Sequence, residues 1–161
     1  MSTTAFAPVT PEQARRLRDG ADGDALGPLH AHAAGPALRE AHGLGASDDE
    51  EAGFVALGYA GLAALVAHPA PRLVLAVDLD DAQVRTSGDH FGTVEVSGLR
   101  WAQVTAVFGD EPGAADDLAE ARRLVAGRSV EDVADDDEVV GLVDRWDLLW
   151  YAPEELDTAS A

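Results

Sequence analysis

Three of the five histidines fall within sixteen residues, "GPLHAHAAGPALREAH" (27–42). His30 and His32 alternate, so on an extended segment they share one face. Two imidazoles so placed can hold a metal ion if a carboxylate arrives from elsewhere. The chain has no Cys, so a metal centre at His30 and His32 has to be a His/carboxylate site of the hydrolase or lyase kind. Arg39 and Glu40 follow on a short helical run. A guanidinium there can grip a carboxylate or phosphate with two parallel hydrogen bonds, or can pair with one of the many acids.

Other polar groupings carry less. Asp78-Leu79-Asp80 follows an apolar run and resembles the first motif of the haloacid-dehalogenase phosphatases. However, position 82 is Ala where that family has Thr or Val, and no Lys is present to neutralise a phosphate. These acids read instead as a solvated turn. Asp135-Asp136-Asp137-Glu138 fails as a calcium loop, because Val139 and Val140 stand where an oxygen ligand and a Gly are needed. Trp101, Trp146, Trp150, Tyr151 and Tyr59 lack interleaved basic residues and read as core or core edge, not as stacking platforms.

Composition closes off further chemistry. The 161 residues include no Ile, Lys, Asn or Cys, a pattern expected of a high-GC bacterial genome. Without Lys there is no Schiff base and no phosphate loop ending in Lys. Without Cys there is no thiol nucleophile or disulfide. No Ser lies in a nucleophile motif, and no dinucleotide-binding glycine pattern occurs. No cofactor is expected. The formal net charge is −19, and residues 1–46 hold five acids against four arginines, so almost all of it lies beyond them. That field repels nucleic acid and anionic lipid. No apolar run reaches the roughly 18 residues of a membrane span, and the N-terminus lacks a secretory pattern. The expected location is the cytoplasm, with a protein partner conceivable.

These residues need elements to position them. "TTAFAPVT" reads as a strand leading into a helix capped by Thr10, with Pro11 at its first position and Gln13 closing a capping box. "SDDEEAGFVALGYAGLAALVAHP" reads as a long helix capped by Ser47 and Glu50, with Phe54, Leu57, Gly61, Leu62 and Leu65 on its inward stripe. "RLVLAVDLD" reads as a central strand buried on both faces. "GTVEVSG" and "AQVTAVFGD" read as two further strands, paired antiparallel to one another. A helix follows over 113–127, then a helix pair over 129–146 and a terminal strand over 147–156. The fold class is α+β: a small mixed, mostly antiparallel sheet of about four to five strands with helices packed on one face. Residues 1–156 form the single domain and 157–161 a disordered tail. No internal repeat is evident.

"AHAAGPALREA" and "LLWYAPEEL" resemble an uncharacterised family of small proteins from high-GC bacteria. The resemblance rests on His32, Pro36, Arg39, Glu40, Trp150, Tyr151 and Glu155, in order along most of the chain. Gly35 stands where that family has Thr. The resemblance implies a single domain and supplies no activity.

Three functions follow. The leading one is a non-catalytic binding or regulatory module with a pocket near His32, Arg39 and Tyr151, which Glu40, Trp150 and Glu155 complete. This requires the histidine segment to meet the terminal aromatic strand, and it suits an anionic small molecule or an acidic peptide. The second is the metal-dependent hydrolase or lyase of His30 and His32. The third is an acidic decoy for a basic protein.

Overall fold

A computed structural model of the chain describes residues 2–69 and 71–161. Seven strands make one antiparallel sheet: β1 (Ser2–Pro8), β2 (Leu29–Ala33), β3 (Leu73–Asp80), β4 (Val84–Thr86), β5 (Thr93–Val96), β6 (Val104–Gly109) and β7 (Leu149–Tyr151). Their spatial order is β4-β5-β2-β1-β3-β6-β7. The expected strand count was too low because two strands are short or disguised. β2 carries the histidines and alternates weakly, and β4 is three residues long.

β3 is central, as its continuous apolar run implies, with β1 on one side and β6 on the other. β5 and β6 do not pair with one another. β5 lies between β4 and β2, whereas β6 lies between β3 and β7. The "GLRW" connection is therefore a crossover and not a hairpin.

Both faces of the sheet carry helices, which corrects the expected one-sided layer. On one face, Ala5, Ala7, Ala31, Leu75 and Val77 pack with α1 (Pro11–Arg18) through Ala14 and Leu17, and with α7 (Leu156–Ala159) through Leu156 and Ala159. Residues 157–161 are thus no loose tail: helix α7 runs into them, and Ala159 is buried against this core. The Thr10 capping box of α1 forms as its sequence predicts, with Gln13 N–H donating to Thr10 Oγ1 at 3.1 Å and Thr10 N–H to Gln13 Oε1 at 2.9 Å.

The other face carries α2 (Pro36–Ala41) and the long α3 (Asp49–Ala67), backed by α4 (Ala115–Val125), α5 (Val130–Val133) and α6 (Asp137–Val143). Helix α3 is capped at Asp48, not Ser47, and makes no capping bond there. Gly61, Leu62 and Leu65 are buried, as expected, and Ala52, Ala56, Ala60 and Ala64 are buried with them, while Leu57 is only partly buried and Phe54 is 68% exposed. Small alanines let α3 lie close on the sheet, and the bulky Phe54 is displaced outward. By length and composition α3 is apolar enough to cross a membrane, yet this alanine stripe is packed within the fold.

A sequence echo pins the crossovers. Ala-Gln-Val occurs at 82–84 and again at 102–104, each time as a 3-10 turn running into a strand. Each Gln reaches back to cap its own turn: Asp80 N–H donates to Gln83 Oε1 at 3.0 Å, and Arg100 N–H to Gln103 Oε1 at 3.1 Å. The two amides then bond to each other, Gln83 Nε2 to Gln103 Oε1 at 3.1 Å and Gln103 Nε2 to Gln83 Oε1 at 2.6 Å. This reciprocal pair ties the start of β4 to the start of β6.

A second polar knot lies under the helical layer. Arg72 is 2% exposed. Its Nε donates to Asp110 Oδ1 at 2.8 Å, its Nη2 to the Trp146 carbonyl at 3.1 Å, and its backbone N–H to Asp110 Oδ2 at 2.9 Å. β3 begins and β6 ends at this pair. Gly61 of α3 sits against the knot, where a Cβ would lie 3.5 Å from Arg72 Nη1 and 3.1 Å from Leu148 Cδ1.

Candidate functional site

The histidine segment and the terminal strand do not meet. β2 and β7 are separated by β1, β3 and β6. The proposed joining of His32, Arg39 and Glu40 with Trp150, Tyr151 and Glu155 is therefore corrected: hydrogen-bond register, not chemical richness, decides strand neighbours. Trp150 is exposed on the β7 edge, opposite Phe108 of β6. Tyr151 packs partly against the core containing α1 and α7. Glu155 Oε2 accepts from the Ala152 N–H at 2.8 Å and so caps the turn before α7.

His30 and His32 share a face, as alternation requires, but meet different surroundings. His32 is buried, and its Nδ1 donates to the Phe91 carbonyl at 2.8 Å, which fixes the neutral tautomer. Burial lowers its pKa, against the smaller opposing effect of that hydrogen bond. His30 is half exposed beside Glu95, with Nε2 4.0 Å from Oε1, and Glu95 also pairs with Arg85. Among the described residues, no three His, Asp or Glu side chains converge to hold a metal ion. The His30–His32 metal reading therefore lacks its third ligand.

Every nitrogen of the Arg39 guanidinium donates to a group of the fold. Nε donates to the Ala34 carbonyl at 3.0 Å, Nη1 to the Gly45 carbonyl at 2.9 Å and Nη2 to Asp49 Oδ1 at 2.7 Å. It clamps the departure of the chain from β2 to the start of α3. Each of its three nitrogens is thereby tied to the fold, and Asp49 already offsets its charge, so it is a poor grip for an incoming anion. Glu40 is exposed on α2.

A concave site lies beside this clamp. A cleft of about 890 Å³ opens where β2 stops at Ala33 and the chain turns off into α2. One wall is the N-terminal half of β1, with Ser2, Thr3, Thr4 and Phe6. The opposite wall is the β4–β5 hairpin, with Thr86, Gly88, Gly92 and Thr93. Gly35, Pro36, Arg39 and Asp49 close the end under α2 and α3. The lining is rich in hydroxyls and in short apolar side chains.

The hairpin wall is held by Asp89. Oδ1 accepts from Phe91 N–H at 3.1 Å and Thr93 N–H at 2.9 Å, and Oδ2 from Ser87 Oγ at 3.2 Å. Partial burial pushes this carboxyl up, but the hydrogen bonds from Thr93, Ser87 and Phe91 outweigh it and hold the pKa below its ordinary value. Gly92 has φ +69°, and a Cβ there would strike the Ala33 carbonyl, so the hairpin closes against β2 only with glycine.

Next to the cleft is an aromatic cluster. The Tyr59 and Phe91 rings meet edge to face with centroids 5.1 Å apart, and Tyr59 Oη lies 2.8 Å from His42 Nε2. Burial raises the Tyr59 pKa, and Asp135 adds to it. Tyr59 is therefore a neutral hydrogen-bonding group at physiological pH.

Residues 4–159 match a family of unknown function, DUF6912. The chain belongs to that family. The match spans both walls of the cleft and runs on into α7, so a DUF6912 domain takes in the entire sheet except the first residues of β1. No curated protein and no solved structure matches the chain. Of the residues singled out in the sequence, Arg39 lines the cleft of this DUF6912 chain as a clamp, beside Gly35 and Pro36, whereas His32, Glu40, Trp150, Tyr151 and Glu155 do not line it. Thr3, Thr4, Thr86 and Thr93 carry no motif. One signal in the sequence is "SGDHFG" (87–92), an Asp between two glycines that marks a capped hairpin turn.

Proposed function

We propose that this DUF6912 protein is a non-catalytic binding module whose site is the cleft between β1, the β4–β5 hairpin and α2. The observation that carries this is the early exit of β2, which leaves a hollow large enough for a small ligand or a short peptide. The lining supports recognition and not catalysis. Its charged groups are Arg39, Asp49 and Asp89, and Arg39 and Asp89 are each spent on the protein's own backbone. With the guanidinium committed and the whole chain at −19, an anionic ligand is disfavoured, which replaces the earlier expectation of an acidic one. The same charge supports a cytoplasmic protein that avoids nucleic acid and membranes. The absence of Ile, Lys and Asn supports a high-GC bacterial source.

A cleft-filling variant tests the reading. Thr86 is exposed on the short edge strand and lines the cleft, and an aromatic residue suits a strand there. Thr86→Trp is expected to fold normally and to abolish the amide shifts that a library of neutral and cationic fragments causes in residues 2–4 and 92–94. Fragments that bind wild type and Thr86→Trp alike, or that shift no amide of the cleft, overturn the proposal.

A further inference from the structure

The backbone of β1 specifies what the cleft can hold. In an antiparallel sheet the N–H and C=O of one residue point to the same neighbour, and successive residues alternate. The Ala33 N–H donates to the Gly92 carbonyl at 2.8 Å, towards β5. His32 therefore faces β1, where it stands opposite Phe6. On β1, then, Phe6, Thr4 and Ser2 turn their peptide groups towards β2. The Val9 N–H donates to the Leu73 carbonyl at 3.0 Å, so the odd-numbered set faces β3.

β1 stays paired with β3 as far as Ser2, opposite Asp80. Its pairing with β2 covers only Ala5 and Phe6. Ala34, which would come next opposite Thr4, gives its carbonyl to the Arg39 guanidinium instead. Among the described residues, Thr4 and Ser2 have no partner residue in β2, and both line the cleft. The Arg39 clamp, by holding the chain away from β1, is what keeps this edge bare.

We infer that the cleft accepts a short extended peptide from a partner protein, which adds as a strand to the Ser2–Thr4 edge of β1. This rests on the reading of the cleft as the binding site and names its ligand class. Main-chain hydrogen bonds supply the affinity in such strand addition, and pockets for alternate side chains supply the selectivity. Charge selects a cationic strand: the lining holds two carboxylates, Asp49 and Asp89, against the single guanidinium of Arg39, and the surrounding field is strongly negative. Short and β-branched side chains fit walls made of threonines and glycines.

The test uses the full chain and a fluorescein-labelled, end-capped hexapeptide of alternating Val and Arg. Anisotropy is read at about 150 mM salt, where exposed charges are well screened. Two comparators are the same peptide N-methylated at alternate residues and a Val-Glu counterpart. Saturable binding of the Val-Arg peptide is expected. N-methylation on the bonding edge is expected to weaken it about ten-fold or more, the equivalent of one or two lost hydrogen bonds. Thr4→Pro is expected to do the same with an unchanged melting temperature, because the Thr4 N–H points away from β3 and proline is tolerated on such an edge.

Equal binding of the N-methylated peptide, equal binding by a folded Thr4→Pro protein, or no saturation below about 1 mM each overturns strand addition. Should Thr4→Pro fail to fold, the N-methylated peptide decides alone. Fragment shifts in the cleft without peptide binding leave the cleft as the site and reject only its strand ligand. Failure of both experiments rejects both readings.

Discussion

Replacing Gln83 with Ala removes the centre of the crossover knot. The Gln83 amide accepts from the Asp80 N–H and from Gln103 Nε2, and donates to Gln103 Oε1, the Ser97 carbonyl (3.1 Å) and the Gly98 carbonyl (3.0 Å). Two amide hydrogens share three acceptors, so these contacts amount to roughly four full hydrogen bonds, each contributing about 0.5–1.5 kcal/mol net. Part of the site is exposed, and water replaces some of what is lost, which leaves an expected destabilisation of about 2–3 kcal/mol. Equilibrium urea unfolding measures it. Gln103→Ala is expected to cost a similar amount, because Gln103 caps its own turn and also donates to the Asp78 carbonyl. The double variant is expected to cost less than the sum, by about 1 kcal/mol or more, since each single change already breaks the reciprocal amide pair. Amide exchange at Val84–Thr86 is expected to speed up in both single variants. A loss below about 0.5 kcal/mol in Gln83→Ala, or strict additivity, refutes the view that the paired amides pin the hairpin wall of the cleft.

Arg39→Ala is expected to destabilise the fold by about 2–3 kcal/mol in urea, because it frees the Ala34 and Gly45 carbonyls together; an unchanged midpoint contradicts its role as a clamp. Asp110→Ala strands the 2%-exposed Arg72 guanidinium and is expected to cost about 3–5 kcal/mol by the same assay, whereas a loss under about 1 kcal/mol means the knot is not structural. His32 is held neutral in the fold, so its contribution is complete above the ordinary imidazole value of 6.5 and is lost as pH falls below it towards the lowered folded pKa. His68, also lowered by burial, acts in the same direction. Between pH 7 and 5 wild-type stability is expected to decline by up to about 1.4 kcal/mol per pH unit for each such group, and His32→Leu is expected to flatten that slope; an identical slope contradicts the assignment.

The sequence is legible where its signals report local physics. The Thr10 capping box, the buried β3 run and the α4 helix ending before Gly127 all depend on near neighbours, and all are present. Long-range pairing was not legible. Nothing in "GTVEVSG" or "AQVTAVFGD" states that the two strands belong to opposite halves of the sheet. β4 escaped because three residues give too little alternation, although the repeated Ala-Gln-Val marked where both crossovers turn. On α3, Gly61, Leu62 and Leu65 of the expected stripe are buried, whereas Phe54 turns outward and Ala52, Ala56, Ala60 and Ala64 are buried as well, because small side chains let the helix lie flat on the sheet.

The candidate site was misplaced for a related reason. Polar richness drew attention to Arg39 and His32, and these turn out to be satisfied by backbone carbonyls within the fold. The cleft is made by something missing from the sheet, the early end of β2, and by threonines that carry no pattern. Besides the capped turn at "SGDHFG", Gly35-Pro36, which stops the strand and starts α2, announces it.

The most direct test of the account is a map of backbone amide shifts on the wild-type chain as the Val-Arg hexapeptide is titrated in. Shifts concentrated at residues 2–6, 33–39 and 84–94, largest at Thr4, are the predicted result. Shifts centred on Trp150 and the β7 edge, or spread evenly over the acidic surface, contradict it.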